Sequence, residues 1–472
     1  MVKRIVLFSL LLFSGCRMGE REVVIVFRPK PLTLDPHAQK IASVRALLEN
    51  IYEPLVVYTP SLRIGPCLAE YWETPDDTTW IFHLREDVYF HTGKPFTAYD
   101  VKATMERIRG MKGSPYIDNI SPIKRMEIKD PYTVVFYLHR PCVTFLNKLA
   151  TVFIIAEDSL TGTGPYRIEK MKGDTLILSA FEAYREPLEV KRIRIIFFES
   201  RPYAAKRFVE GLGDIMYRFP FSYVEEARKK GIKLVHFNPP HIFLLGFNLK
   251  RYPVNDPTVR KAAALAIDRK RLALGRGEVV DGYISPNAEG YSPEVHAISY
   301  NPSIARRLLK GRRVRFTLLI TQDLKSMGEE IKEMLARAGI DVRLELPKDN
   351  KEFFHKILGG EVDAFIVLYL NETGDGGDAL ASLFHTREEG WGGENLFYYS
   401  NPRADSLIES VFGVMDRKER NAILLEAQNV ILEDLPAIPL FSPFEYHAVR
   451  NGYELVPHNA MSLWLKTLRR RR

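Results

Sequence analysis

From residue 23 to about 234 the apolar positions fall into short β-branched and aromatic runs, at 23–27, 80–84, 125–128, 133–138, 166–168, 176–180 and 193–198. Runs of this length predict strands, and turn signals such as Lys129-Asp130-Pro131 and Lys172-Gly173-Asp174 bound several of them. One segment switches to a helical period. Val101, Met105 and Ile108 share a face, Thr97 and Asp100 make a capping box ahead of them, and Gly110 ends the helix predicted over 97–110.

Beyond His241 strands and helices alternate. Asp256-Pro257 and Asn301-Pro302 each set an N-cap side chain before a first-turn proline, opening helices that run through Ile267 and up to Gly311. A strand at 315–320, a helix at 324–338 stopped by Gly339, a strand at 341–346, a helix at 351–358 stopped by Gly359 and a strand at 362–368 complete β-α-β-α-β. That order predicts a parallel sheet with right-handed crossovers. Helices at 403–415 and 418–433 and a strand at 438–441 follow, and no internal repeat is evident.

Open parallel sheets bind ligands beyond the carboxyl ends of their strands. The segment leaving the strand at 362–368 is Tyr369-Leu370-Asn371-Glu372-Thr373-Gly374-Asp375-Gly376-Gly377-Asp378. Here Glu372 or Asp375 can pair with a cationic ligand group, Tyr369 can pack on an apolar part, and the glycines can let backbone donors approach closely. The competing reading is a solvated loop in which Asp378 caps the next helix.

Composition narrows the class. The 472 residues are 46% apolar and 27% charged, enough for two large domains or about three of ordinary size. Three cysteines carry neither a disulfide-dense scaffold nor a Cys-rich zinc site. The net charge of +8 is spread among nearly as many acids, and without a recognition module it gives no nucleic-acid reading. The arginines at 469–472 read as a solvated tail, with contact to anionic lipid as the sharper alternative.

The amino terminus predicts export. Lys3 and Arg4 precede an apolar run at 5–13 that breaks at Ser14-Gly15-Cys16, and this run is far below the roughly 20 residues needed to span a bilayer. Phe13-Ser14-Gly15-Cys16 resembles the bacterial lipobox, which implies removal of residues 1–15 and acylation of Cys16, holding the protein to a membrane surface. Cys67 and Cys142 are then the remaining pair in an oxidising compartment. A disulfide between them would close a long loop worth about 4 kcal/mol, and two separate buried thiols are the alternative.

Catalytic motifs are missing: no His-Glu-x-x-His, no Gly-x-Ser-x-Gly and no phosphate loop. Glu372 and Asp375 could act as acid and base in a secreted hydrolase, the one enzymatic alternative. The 11 histidines, among them His83, His91, His241, His296, His385 and His447, show no i,i+4 pairing. No cofactor is expected, although a pocket assembled from distant histidines leaves no mark in sequence.

Several ordered blocks carry a resemblance. Residues Pro66-Cys67-Leu68-Ala69-Glu70-Tyr71-Trp72-Glu73, Trp80-Ile81-Phe82-His83-Leu84-Arg85 and Phe90-His91-Thr92-Gly93-Lys94-Pro95-Phe96-Thr97-Ala98-Tyr99-Asp100-Val101 resemble the signature of the bacterial solute-binding proteins of the peptide/nickel family, the capture subunits of ABC importers. Supporting blocks are Leu32-Thr33-Leu34-Asp35-Pro36, Gly162-Thr163-Gly164-Pro165-Tyr166, Val259-Arg260-Lys261-Ala262, Tyr300-Asn301-Pro302 and Pro436-Ala437-Ile438-Pro439-Leu440.

The resemblance implies an α/β, type II periplasmic-binding-protein-like fold of two lobes that enclose a solute. Lobe I would comprise residues 16–244 and 442–472, with an extra subdomain at about 45–160, and lobe II residues 245–441. The chain would cross between lobes near 243–248 and 439–444. Peptide binders of the family have tryptophan, an aspartate for the peptide ammonium and a Gly-Asp-Pro turn where this chain has Tyr369, Glu372 and Gly374-Asp375-Gly376. The arginine that takes the carboxylate in dipeptide binders is matched only by Gln322 and Lys325, which argues against dipeptide specificity and leaves open longer peptides held mainly through backbone hydrogen bonds. The implied ligand contacts are Thr33, Tyr369, Asn371, Glu372, Thr373 and Asp375. The implied partners are a small solute, most readily a peptide, and the permease subunits, with the chain acting as a monomer. Nickel chelate, haem or oligosaccharide are the other ligands such a fold would take.

Overall fold

The strand Val23–Phe27 is buried at four of its five positions, which suits the interior of a sheet covered on both faces. It pairs in parallel with Arg192–Phe197 on one side and Ile215–Phe219 on the other. Around it runs a seven-stranded sheet in the order Tyr166–Lys172, Thr175–Ala180, Arg192–Phe197, Val23–Phe27, Ile215–Phe219, Glu445–Val449, Lys233–Phe237. Helix Ala42–Leu48 packs Val44, Leu47 and Leu48 against one face of this sheet, and helix Arg201–Val209 packs Ala204, Ala205 and Phe208 against the other. The computed structural model describes residues 22–60, 62–296, 298–388, 391–450, 452–455 and 462–471, so Cys16 and the export segment lie outside the described residues.

A second sheet has six strands in the order Gly277–Val279, Ala437–Pro443, His241–Phe247, Ala364–Leu370, Val314–Leu319, Ile340–Glu345. The β-α-β-α-β segment forms its parallel part, in which Val314–Leu319 pairs with both Ile340–Glu345 and Ala364–Leu370. The other three strands are antiparallel to their neighbours, so the sheet is mixed rather than wholly parallel. The cause is connectivity. His241–Phe247 enters from Lys233–Phe237 of the first sheet across residues 238–240, and Ala437–Pro443 leaves for Glu445–Val449 of that sheet through Phe444. The first crossing therefore precedes the expected 243–248, which is the later part of the strand and the residue after it.

A third unit lies within the first lobe. Ala69–Asp76, Thr79–Leu84, Thr133–Leu138 and Ile123–Asp130 form a four-stranded antiparallel sheet with its own core of Trp80, Phe82, Phe96, Val101, Phe136 and Phe145. Helix Ala98–Gly110 covers it, capped by the reciprocal Thr97 and Asp100 pair. Cys67 and Cys142 are corrected here to two free, buried thiols. Cys67 Sγ lies 3.8 Å from Glu53 Oε1 and Cys142 Sγ lies 3.8 Å from Thr144 Oγ1, so each is held by its own neighbour. Among the described residues no helix is long and apolar enough to cross a membrane.

Candidate functional site

Strand Ala364–Leu370 pairs along its whole length with His241–Phe247, Tyr369 lying opposite Ile242, and its carboxyl end delivers the loop to the cleft between lobes. Tyr369 is therefore a strand residue and is buried. Burial, and then the charge of Glu394, push its phenol well above the usual range, so it serves as a neutral donor.

Asn371 organises the turn that follows. Its Nδ2 donates to the carbonyl of Asp375 at 3.0 Å, Thr373 Oγ1 donates to Asn371 Oδ1 at 3.2 Å, and the N–H of Asp375 donates to Thr373 Oγ1 at 3.4 Å. These bonds make Asn371 and the Thr373 hydroxyl shaping groups. Asp375 is corrected from a ligand contact to a structural anchor. Its carboxylate caps helix Gly376–Phe384 by accepting from Asp378 N–H at 3.0 Å and pairs with Arg420 Nη2 at 2.8 Å, the two side chains being 2% and 3% exposed. Asp375, and not Asp378, is thus the helix cap. Burial and the neighbouring Asp375 raise the carboxyl pKa of Asp378. The glycines serve packing: a Cβ on Gly376 would meet the Glu289 carbonyl at 2.7 Å, and one on Gly377 would meet Arg420 Nη2 at 2.6 Å.

Glu372 is different. It is half-buried and makes no hydrogen bond or ion pair among the described residues. Its charge nonetheless acts on Lys40, Arg45, Tyr116 and Arg218 of the first lobe and on Tyr369 and Glu394 of its own. Next to it the Thr373 carbonyl accepts from Tyr58 O–H at 2.5 Å and from Asn147 Nδ2 at 3.1 Å, both from the first lobe. Thr33 is not brought to this loop by any contact among the described residues. Its hydroxyl accepts from Asp35 N–H at 3.0 Å and its carbonyl from Gln39 Nε2.

A further group of buried polar side chains stands at the crossing strands, where the charge of Glu372 reaches Arg218. Arg218 takes a left-handed backbone conformation, with φ of 50°, and sets Nε 2.9 Å from Glu445 Oε2. Its backbone N–H donates to His447 Nδ1 at 3.3 Å, and the imidazole packs between Tyr217 and Phe237 at centroid distances of 4.7 and 4.4 Å. His447 Nε2, both ring nitrogens of His241 and Arg218 Nη2 are buried without a hydrogen-bond partner among the described residues. Burial holds both imidazoles neutral, bringing each pKa down to about 3, with the Arg218 charge adding to the effect. Helix Ala42–Leu48 contributes Arg45, buried and 3.3 Å from Glu49.

These buried polar residues escape motif reasoning because each sits singly in a strand or helix far from the others in sequence. The available signal was a polar residue inside a buried apolar run, as His241 is in His241–Phe247. The place of the 371–378 loop at the end of a strand was legible from the sequence.

The family model "Bacterial extracellular solute-binding proteins, family 5 Middle" matches residues 63–391, more than half of the chain. The glutathione-binding protein GsiB of Salmonella typhi is 25% identical over 457 residues, covering 90% of this chain and 89% of that protein. Among solved structures, the periplasmic binding protein DppA from Helicobacter pylori in complex with peptide STSA has a TM-score of 0.77, covering 96% of this chain and 98% of its own at 22% identity. NikZ from Campylobacter jejuni in complex with Ni(L-His) has a TM-score of 0.81, covering 96% and 100% at 17% identity. The fold is thus the two-lobe type II architecture, and the chain belongs to the bacterial extracellular solute-binding proteins of family 5, which capture solutes for ABC importers.

Proposed function

We propose that this chain captures a peptide, or a small solute of similar zwitterionic character, by enclosing it between the lobes with its cationic group on Glu372. The observation that carries the reading is the Glu372 carboxylate, half-buried in the cleft and without a hydrogen-bond or ion-pair partner among the described residues. Lys40, Arg45 and Arg218 feel its charge from the opposite lobe. A solute carrying both signs matches this surrounding better than a simple cation, since its anionic end meets those side chains. Donors of His241, His447 and Arg218 at the crossing strands are the groups that a polar solute satisfies on enclosure. The ligands named for relatives, glutathione and the peptide STSA, support the same class. Ni(L-His) in NikZ supports a chelate as the second reading, favoured by the neutral imidazole of His241.

In this reading the chain works as a monomer outside the cytoplasmic membrane, anchored through acylated Cys16, passes its cargo to permease subunits and catalyses no reaction. Tyr369 packs against the solute, and the Thr373 backbone closes over it. The test begins with mass spectrometry of small molecules extracted from natively purified protein, followed by titration of the identified solute into wild type and Glu372→Gln. Loss of one partner of an enclosed charge pair predicts at least about a tenfold weaker Kd. Near-wild-type affinity for a solute bearing a cationic group would reject the anchor, and a metal complex in the extract would select the chelate.

A further inference from the structure

At the far end of helix Gly376–Phe384 from Asp375, about 14 Å along the axis at 1.5 Å per residue, stands a second group of polar side chains. His385 caps that end and is 1% exposed. Its Nδ1 lies 2.8 Å from the carbonyl oxygen of Thr386. A carbonyl only accepts, so Nδ1 carries the ring proton. The other nitrogen, Nε2, lies 3.0 Å from Glu409 Oε1. In the neutral ring this leaves a lone pair facing a carboxylate, two acceptors at hydrogen-bonding distance. Such a contact needs a proton or a metal ion shared between the two atoms.

A third donor is within reach. Glu388 offers a carboxylate oxygen, and the ligand atoms of His385, Glu388 and Glu409 all lie within 4.8 Å of one another. Both glutamates are exposed, Glu409 by 51%, so small rotations close that separation to the spacing of a common metal. The imidazole is held as a metal ligand requires. Thr386 accepts from Nδ1, while Asp405 accepts from the Thr386 N–H at 2.9 Å and from its hydroxyl at 2.6 Å. Trp391 stacks on the ring at 4.6 Å, and its backbone exchanges hydrogen bonds with that of Glu388. Glu388, Glu409 and Trp391 also line a cavity of about 670 Å³ together with Arg140 and Pro141 of the first lobe, which gives an ion and its remaining waters a route in.

We propose that His385, Glu388 and Glu409 form a binding site for a divalent transition-metal ion, with the mixed nitrogen and oxygen donors suited to zinc, nickel or cobalt. The site lies at the mouth between the lobes and is separate from the solute loop. The test is calorimetric titration of the untagged, EDTA-treated and dialysed chain with ZnCl2 and with NiCl2 in a non-coordinating buffer near pH 7. One ion per chain with a micromolar or tighter Kd is expected, weakened at least tenfold in Glu388→Gln and in Glu409→Gln and unchanged in Glu372→Gln. Both substituted side chains are exposed, and circular dichroism checks that the variants fold. Addition of CoCl2 is expected to give visible absorption bands that disappear in Glu409→Gln. Absence of stoichiometric binding would overturn the proposal and leave His385 and Glu409 as a hydrogen-bonded pair. Equal affinity in the glutamine variants would overturn it as well, since the ion would then be held elsewhere.

Discussion

Arg420→Met breaks the ion pair that seats the 371–378 loop. Methionine keeps most of the buried volume but removes the guanidinium 2.8 Å from Asp375 and the donor to the Val411 carbonyl at 3.1 Å. Asp375 is left as a buried carboxylate with the Asp378 N–H as a remaining donor. Deleting one partner of a buried pair costs about 3–5 kcal/mol, because the other charge stays desolvated. At about 2–4 °C per kcal/mol for a lobe of this size, the unfolding midpoint drops by about 6–20 °C. The deficit depends on pH. The carboxyl of Asp378 has its folded pKa raised above 3.8 by burial and by Asp375, so the stability it brings is complete below 3.8 and is lost as pH rises through the folded value. With the arginine gone, the two acids keep only the charge of Lys148 acting on Asp378, and the deficit is larger at pH 8 than at pH 4.5. Asp375→Asn keeps a good helix cap while removing the charge. The double variant Asp375→Asn/Arg420→Met removes both charges of the pair together and is expected to lose less than the sum of the single losses. Urea unfolding of the four proteins, followed by circular dichroism at both pH values, measures this cycle. A cost below about 1 kcal/mol for Arg420→Met, or strict additivity, would refute the reasoning.

His241 and His447, each with its folded pKa brought from 6.5 to about 3, predict acid sensitivity. The unfolded chain binds more protons below 6.5, so stability is full above that value and falls as pH drops towards 3, by about 1.4 kcal/mol per unit for each residue. His241→Phe and His447→Phe each reduce the slope of unfolding free energy against pH between 6.5 and 4; slopes equal to wild type would reject the assignment. Cys16→Ser, expressed from the full-length chain in a bacterial host, moves the protein from the membrane fraction to an unprocessed or soluble form. Unchanged membrane attachment would rule out the acyl anchor.

Local chemistry was the legible part of this fold. Helix Ala98–Gly110 begins where Thr97 and Asp100 place it because the capping box involves only neighbouring residues, and the alternating strands and helices of 314–370 follow from periodicity within each segment. The mixed character of the second sheet was not legible. It depends on where His241–Phe247 and Ala437–Pro443 re-enter from the other sheet, which no local period encodes. The candidate site divides in the same way. Tyr369 and Glu372 follow from position at the end of a strand, whereas the role of Asp375 depends on Arg420, 45 residues later, on a helix where an arginine reads as a surface residue. Cys67 and Cys142 share a subdomain, yet side-chain neighbours 14 residues and 2 residues away, Glu53 and Thr144, decide their separate fates.

The Thr373 carbonyl, which receives the Tyr58 hydroxyl and the Asn147 amide, ties the two lobes through an acceptor present in every residue type. Two such bonds, each worth about 0.5–1.5 kcal/mol net, bias the open–closed equilibrium towards closure by about 1–3 kcal/mol, roughly 5- to 150-fold. That bias exists before any cargo arrives and is the same for every cargo. The measured affinity of a solute is its intrinsic affinity scaled by the fraction of molecules already competent to hold it. With Glu372 as the solute anchor we propose, position 372 sets which solute is preferred, while position 373 sets a common gain applied to all of them. Adjacent residues thus carry two independent controls, and a change of preference at the first leaves the second untouched.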